Sequence, residues 1–379
     1  MKRMLVLMTA LLGSAANAAW TPGSITATDL GTLGGVNSEA SAINEGGQIV
    51  GWSENSQGIG NGFIHQNGVM SNLMPGVASW HSAAYDINDS GVAVGWVDDP
   101  NAALPAKAFR WINGAWSFLN AGFTSGSGVH PAAWATAINN SGLIAGSRQF
   151  AVSGFTDALL WLQNLQFIDL EEAALPPSGS VFIESRDLNG SGDVVAFSSD
   201  YDRPMRFKWV GFQIFWTAVP LPLPVAGLYL DFGDAYAIND RGRIVGHVST
   251  YANGSDADRA IFWDGSSANS KYIGVLAGGK RSWAYDLNEG EFIVGASELN
   301  DQLPPPLFSP TLVRAFVYHK DFGMRALPSI AATGPYASCR ANGVNERKSN
   351  GVLQIVGSCE GNGRRHAVRW NVNVLSVRG

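Results

Sequence analysis

The chain has 379 residues and a net charge of −6, and only 15% of its residues are charged, against roughly a quarter in an average soluble protein. Without a Lys/Arg cluster it lacks the basic face that nucleic acid or an anionic lipid surface requires. Gly (45) and Trp (13) are abundant, which describes a chain that turns often and buries much of itself.

The first element, Met1 to Ala18, carries Lys2 and Arg3, an apolar run from Met4 to Leu12, and small residues ending in Ala16-Asn17-Ala18. This reads as a secretory signal peptide over 1–18, cut after Ala18. The apolar run is too short for a membrane span, and no later segment approaches the roughly 20 apolar residues one needs. Residues 19–379 are then expected as one secreted or periplasmic domain, monomeric and without membrane insertion.

Along that domain one phrase returns seven times, in its clearest form Ala237-Ile-Asn-Asp-Arg-Gly-Arg-Ile-Val-Gly246. Its Asn residues are Asn44, Asn88, Asn139, Asn189, Asn239, Asn288 and Asn345, with steps of 44 to 57 residues. A period of this length belongs to propeller blades or arrays. Four positions before each Asn stands a small residue: Ala40, Ala84, Ala135, Ser185, Ala235, Ala284 or Ala341. After the Asn comes a polar, Gly-containing turn and then β-branched residues, a hairpin signature. Asn suits that turn because its side chain can bond the backbone two residues on. An apolar-aromatic phrase follows, ending at Trp111, Trp161, Trp209, Trp263, Tyr318 and Trp370 and degenerate at His65; a fourth short segment, such as Trp116 to Leu119, completes the unit. Four strands per repeat and no helical period predict an all-β fold, a seven-bladed β-propeller of four-stranded antiparallel blades. The small residues then crowd the axis, and the Trp row packs between blades.

The motifs DLGTLGG (Asp29 to Gly35), the AINxxGxIVG phrases and His366-Ala367-Val368 resemble the HAF family of extracellular repeat proteins. That resemblance covers nearly the whole chain after Ala18. It implies secretion and a propeller-like repeat, and no established activity. Ile25 to Leu33 reads as an outer strand with no partners of its own, so it is expected to close the ring in the last blade; the tail Val372 to Val377 competes for that place. Closure by one terminus removes exposed sheet edges.

Functional chemistry is sparse. The calcium loops of integrin-like propellers are approached only by Asp187, Asn189, Ser191 and Asp193, whereas calcium wants six to eight oxygen ligands; ordinary Asn-turn chemistry is the expected reading, and no cofactor or metal is expected. The six His are scattered over different strand positions. Cys339 and Cys359 flank the enlarged turn of the last repeat and are expected to form a disulfide in an oxidising compartment. The position five before each Asn varies while its neighbours repeat: Glu39, Ala83, Trp134, Glu184, Asp234, Trp283 and Arg340. Acids for hydroxyl groups and Trp for a ring face suit a sugar, so Glu39, Trp134, Glu184, Asp234, Trp283 and Arg340 are the candidate ligand-binding residues at one channel mouth. The expected role is a binding or scaffold module for an extracellular glycan or protein. Glycoside cleavage by a carboxylate pair among Glu39, Glu184 and Asp234, or a purely structural surface role, are the alternatives.

Overall fold

The computed structural model describes residues 19–98, 106–122, 131–150, 154–170, 183–198, 203–209, 216–222, 229–252, 255–265, 270–298, 312–334, 337–346, 348 and 350–377. The signal-peptide segment 1–18 lies outside them. Seven sheets of four antiparallel strands form a ring of blades. The innermost strands, in blade order 1 to 7, are Gly34–Ile43, His81–Ile87, Ala132–Ile138, Ile183–Leu188, Tyr229–Ile238, Ser282–Leu287 and Ser338–Val344.

Blade 7 takes its outermost strand from the start of the described chain. Ala19–Asp29 pairs with Arg364–Val377, in the register Ile25 to Val372, Ala27 to Trp370 and Asp29 to Val368. The closing strand thus begins earlier than expected, and Val372–Val377 prolongs the third strand of that blade. Here DLGTLGG and the His-Ala-Val phrase meet: Asp29 binds His366 Nδ1 at 2.9 Å, and the Leu30 N–H donates to the Ala367 carbonyl.

Each inner strand carries a bulge at the same place, one residue after the small one. The register slips between Ala40 and Ala42, and in the same way in all seven blades. Opposite the small residue stands the last Gly of the repeat phrase, for example Ala235 against Gly246. The bulge aims a carbonyl of the inner strand at that Gly: a Cβ on Gly246 would lie 1.9 Å from the Asp234 oxygen, and 1.9 to 2.2 Å from the equivalent oxygen at Gly51, Gly95, Gly146, Gly295 and Gly357. The terminal Gly therefore recurs because a backbone oxygen occupies the place of its side chain. Blade 4 alone has Ala196 there, opposite Ser185. The turn that follows each Asn needs a left-handed residue three positions on, filled by Gly at 47, 91, 142, 192 and 242 and by Glu291 (φ 61°) in blade 6.

Aromatic rings fill the space between blades. Trp161, Trp263 and Trp370 are at most 1% exposed, and their indole N–H groups donate to the carbonyls of Asn120, Pro222 and Pro328 in the preceding blade. Buried Trp needs such a partner for its single polar atom. Trp111 and Tyr318 are only partly buried, and His65 (6% exposed) takes the equivalent place in blade 1; the side chain of Trp209 is outside the description. Cys339 and Cys359 face each other across the first two strands of blade 7 and are joined as a disulfide, with Cα atoms 4.1 Å apart. Ser38 and Ser53 hold the same register in blade 1.

Candidate functional site

At one end of the channel the seven Asn turns form a hydrogen-bonded belt. The side-chain oxygen of Asn139 accepts the N–H groups of Ser141 and Leu143, while its amide donates to the Asn189 carbonyl of the next blade at 3.0 Å. The same donation links blade to blade from Asn44 through Asn345. In blade 7 the enlarged turn diverts the Asn345 amide to Gln354 at 3.3 Å. The residues after the Asn add a second belt, in which Asp89, Asp240 and Glu289 accept N–H groups of Glu45, Gly190 and Asp240 respectively. Together they rim a cavity of about 290 Å³ lined by apolar, Asn and acidic rings. Its polar groups mostly hold neighbouring blades together.

The proposed calcium ligands lie partly in this belt and face different ways. Asp187 accepts the N–H groups of Leu188 and, in the next blade, Ile238. Asn189 caps its own turn, and Asp193 is ion-paired to Arg206 at 2.5 Å. Among the described residues no three His, Cys, Asp or Glu are placed to share a metal ion.

The variable row five before each Asn lies on the innermost strands, one residue before the small residue. Glu184 and Asp234 are brought together by Arg186, which bonds Glu184 Oε2 at 3.1 Å and Asp234 Oδ2 with Nε at 3.0 Å and Nη2 at 2.8 Å. The Asp234 side chain is 3% exposed against 25% for Glu184. Its Oδ1 is buried and has no hydrogen-bond partner within normal geometry, although the Ala235 N–H lies near enough to the carboxyl to lower its pKa. Burial pushes Asp234 up to about 6 in spite of Arg186. Burial also opposes the charge of Arg186, but Asp234 and Glu184 outweigh it and raise its pKa.

Aromatic side chains surround this pair. Tyr236 stacks on His247 with ring centres 5.5 Å apart and meets Tyr285 edge-on at 5.4 Å. His247, buried, is lowered to about 4 chiefly by desolvation, against the pull of Asp258. Trp283 Nε1 donates to Asp258 at 3.1 Å, and the Ser249 hydroxyl donates to its other oxygen at 2.6 Å. Burial raises the pKa of both Tyr285 and Tyr85; Arg340 and Glu39 also act on Tyr285, and Glu184 on Tyr85 in blade 2. Glu39 itself is held by Asn342 and Arg365, at 3.0 and 3.1 Å. Trp134 is half-buried, Arg340 exposed and Ala83 buried on the same row.

Sequence reasoning missed Arg186, Tyr236, Tyr285 and Tyr85. All four are the bulged residue, three before the Asn, in their blades. That row (Ser41, Tyr85, Thr136, Arg186, Tyr236, Tyr285, Asn342) is as variable as the one singled out, and strand alternation puts positions five and three before the Asn on one face. His247 and Asp258 come from the second and third strands of blade 5, and no repeat signal marks them.

No protein-family profile matches the sequence, and no curated protein matches it. Solved structures do share the fold. The extracellular domain of a putative hybrid two-component system from B. thetaiotaomicron superposes with a TM-score of 0.51 at 9% identity, covering 93% of this chain and 40% of the other. A prolyl endopeptidase gives 0.50 at 11% identity over 92% of this chain and 51% of its own. Virginiamycin B lyase from Staphylococcus aureus gives 0.46 at 8% identity, covering 92% and 98%. The chain thus spans about half or less of the first two, and those two likenesses speak to the fold alone.

Proposed function

We propose that the protein is an extracytoplasmic binding module that holds an extracellular glycan at the channel wall built from Glu184, Arg186, Asp234 and Trp283, with Glu39, Trp134 and Arg340 on the same row. In this reading 1–18 is removed as a signal peptide, 19–379 is one propeller domain, and the chain is a repeat protein of the HAF type. The Cys339–Cys359 disulfide supports an oxidising compartment, and no helix among the described residues is long and apolar enough to cross a membrane.

The observation that carries the reading is the Asp234 carboxyl. One oxygen is saturated by Arg186 and the other has no partner, amid part-exposed aromatic rings. A buried acceptor left unsatisfied costs about 1–3 kcal/mol, which a ligand hydroxyl would relieve while Tyr and Trp faces pack on its ring. Glycoside cleavage fits less well. A hydrolytic pair needs the sugar between its carboxyls, roughly 5 to 9.5 Å apart, and between Glu184 and Asp234 the Arg186 guanidinium bonds both.

A glycan array on the purified protein tests the reading. Retention of a neutral oligosaccharide is expected, with loss in a Trp134→Ala, Trp283→Ala variant whose melting temperature stays within a few degrees. A wild-type protein that retains no glycan sinks the proposal.

A further inference from the structure

Of the charged residues on the variable row, all but one are committed to protein partners. Glu184 and Asp234 share Arg186. Glu39 accepts from Asn342 on one oxygen and from Arg365 on the other. Arg340 is exposed and makes no hydrogen bond or ion pair among the described residues. Strand register fixes its surroundings: Trp283 stands opposite Ala296, Arg340 opposite Ser358 and Glu39 opposite Trp52, equivalent places in blades 6, 7 and 1. These blades are stitched side by side, since Asn288 donates to the Asn345 carbonyl and Asn342 to the Ala40 carbonyl. Arg340 therefore stands between an aromatic and an acid of its own row, and the acid is held by other donors.

On the other side the inner strand of blade 6 offers two aromatic rings, both only partly buried. Trp283 is fixed by the bond from Nε1 to Asp258. Tyr285, two residues on, meets Tyr236 edge-on, and its hydroxyl makes no hydrogen bond among the described residues. Of the charges acting on that hydroxyl, Arg340 is the largest. A guanidinium and a phenol O–H are thus both free to donate beside a ring face on which a sugar can pack. Such a pair calls for an anionic acceptor, and the planar guanidinium fork matches a carboxylate with two parallel bonds.

We propose that the glycan held here is an acidic one, a uronic acid residue whose carboxylate is taken by Arg340 and the Tyr285 hydroxyl while its ring lies on Trp283. This rests on the glycan-binding reading given above. It also orients the sugar: Glu184 and Asp234, in blades 4 and 5, repel a carboxylate and leave hydroxyl groups to face that side. The chain carries a net charge of −6, so its overall field does not draw an acidic glycan in. Selectivity comes from the one uncommitted cation of the row.

The test is an array of uronic acid oligosaccharides, each printed beside its carboxyl-reduced, neutral counterpart, probed with the purified protein. At least one acidic member should be held about tenfold or more tightly than its reduced counterpart, the difference expected of hydrogen bonds to a charged group. Arg340→Gln should remove the difference within that pair, and Arg340→Lys, which keeps the charge without the fork, should restore it only in part. Neutral members retained as tightly as their acidic counterparts overturn this inference and leave the glycan reading standing. A preference that persists in Arg340→Gln overturns it as well, as does retention of sulfated sugars without any uronic acid. Retention of no glycan at all sinks the glycan reading and this inference with it.

Discussion

Replacing Gly246 by Ala probes the relation between the bulge and the repeat Gly directly. The added Cβ would sit 1.9 Å from the Asp234 carbonyl oxygen and 2.9 Å from the Ala235 Cα, both backbone atoms that no rotamer change can move. Ordinary contact requires the inner strand to retreat by more than 1 Å, although Ala235 and Val245 are fully buried. Overpacking of that kind costs about 1–3 kcal/mol, against which the reduced freedom of the unfolded chain returns only about 0.4–1 kcal/mol. A net loss of roughly 1–2 kcal/mol is expected, read as a lower urea midpoint at unchanged m value. Ala196→Gly in blade 4 is the control, since that blade already holds a methyl group there; its cost should stay near the roughly 0.5–1 kcal/mol of a Gly in a strand. A Gly246→Ala protein with a wild-type or higher midpoint would refute the argument.

Two further outcomes follow from local geometry. Replacing Cys339 and Cys359 together by Ser should cost roughly 3 kcal/mol in the loop-entropy model for the 20-residue separation; equal urea midpoints for the oxidised wild type and the Ser variant would contradict this. Glu291 holds a left-handed conformation at φ 61°, which costs a non-Gly residue about 1–2 kcal/mol, while its side chain pairs with Arg243 at 2.6 Å on the surface. Glu291→Gly should therefore leave stability unchanged or raise it by up to about 1 kcal/mol, and a clear loss would show that the ion pair outweighs the strain.

The parts of the fold that recur were legible because each repeat position answers one steric or hydrogen-bond demand. Asn139 shows this: one side chain caps its own turn and reaches the next blade, so the residue cannot vary. The disulfide was legible for the same reason, since Cys339 and Cys359 occupy the register of Ser38 and Ser53. The candidate site was only half legible. Position five before the Asn drew notice by its variability, but Arg186, which organises Glu184 and Asp234, stands in the row three before the Asn, whose equal variability was passed over. Likewise the bonds from Asp86, Asp187 and Asp286 to the next blade join residues about 50 apart in sequence, a relation that no local pattern encodes.

The central claim, that ligand is held at the wall carrying Arg186 and Asp234, is tested most directly by hydrogen–deuterium exchange with and without a retained oligosaccharide. Protection is predicted in peptides covering 183–188, 233–238 and 282–287, with little change in the Asn turns 44–47 and 139–142. Protection confined to those turns or to the outermost strands would contradict it.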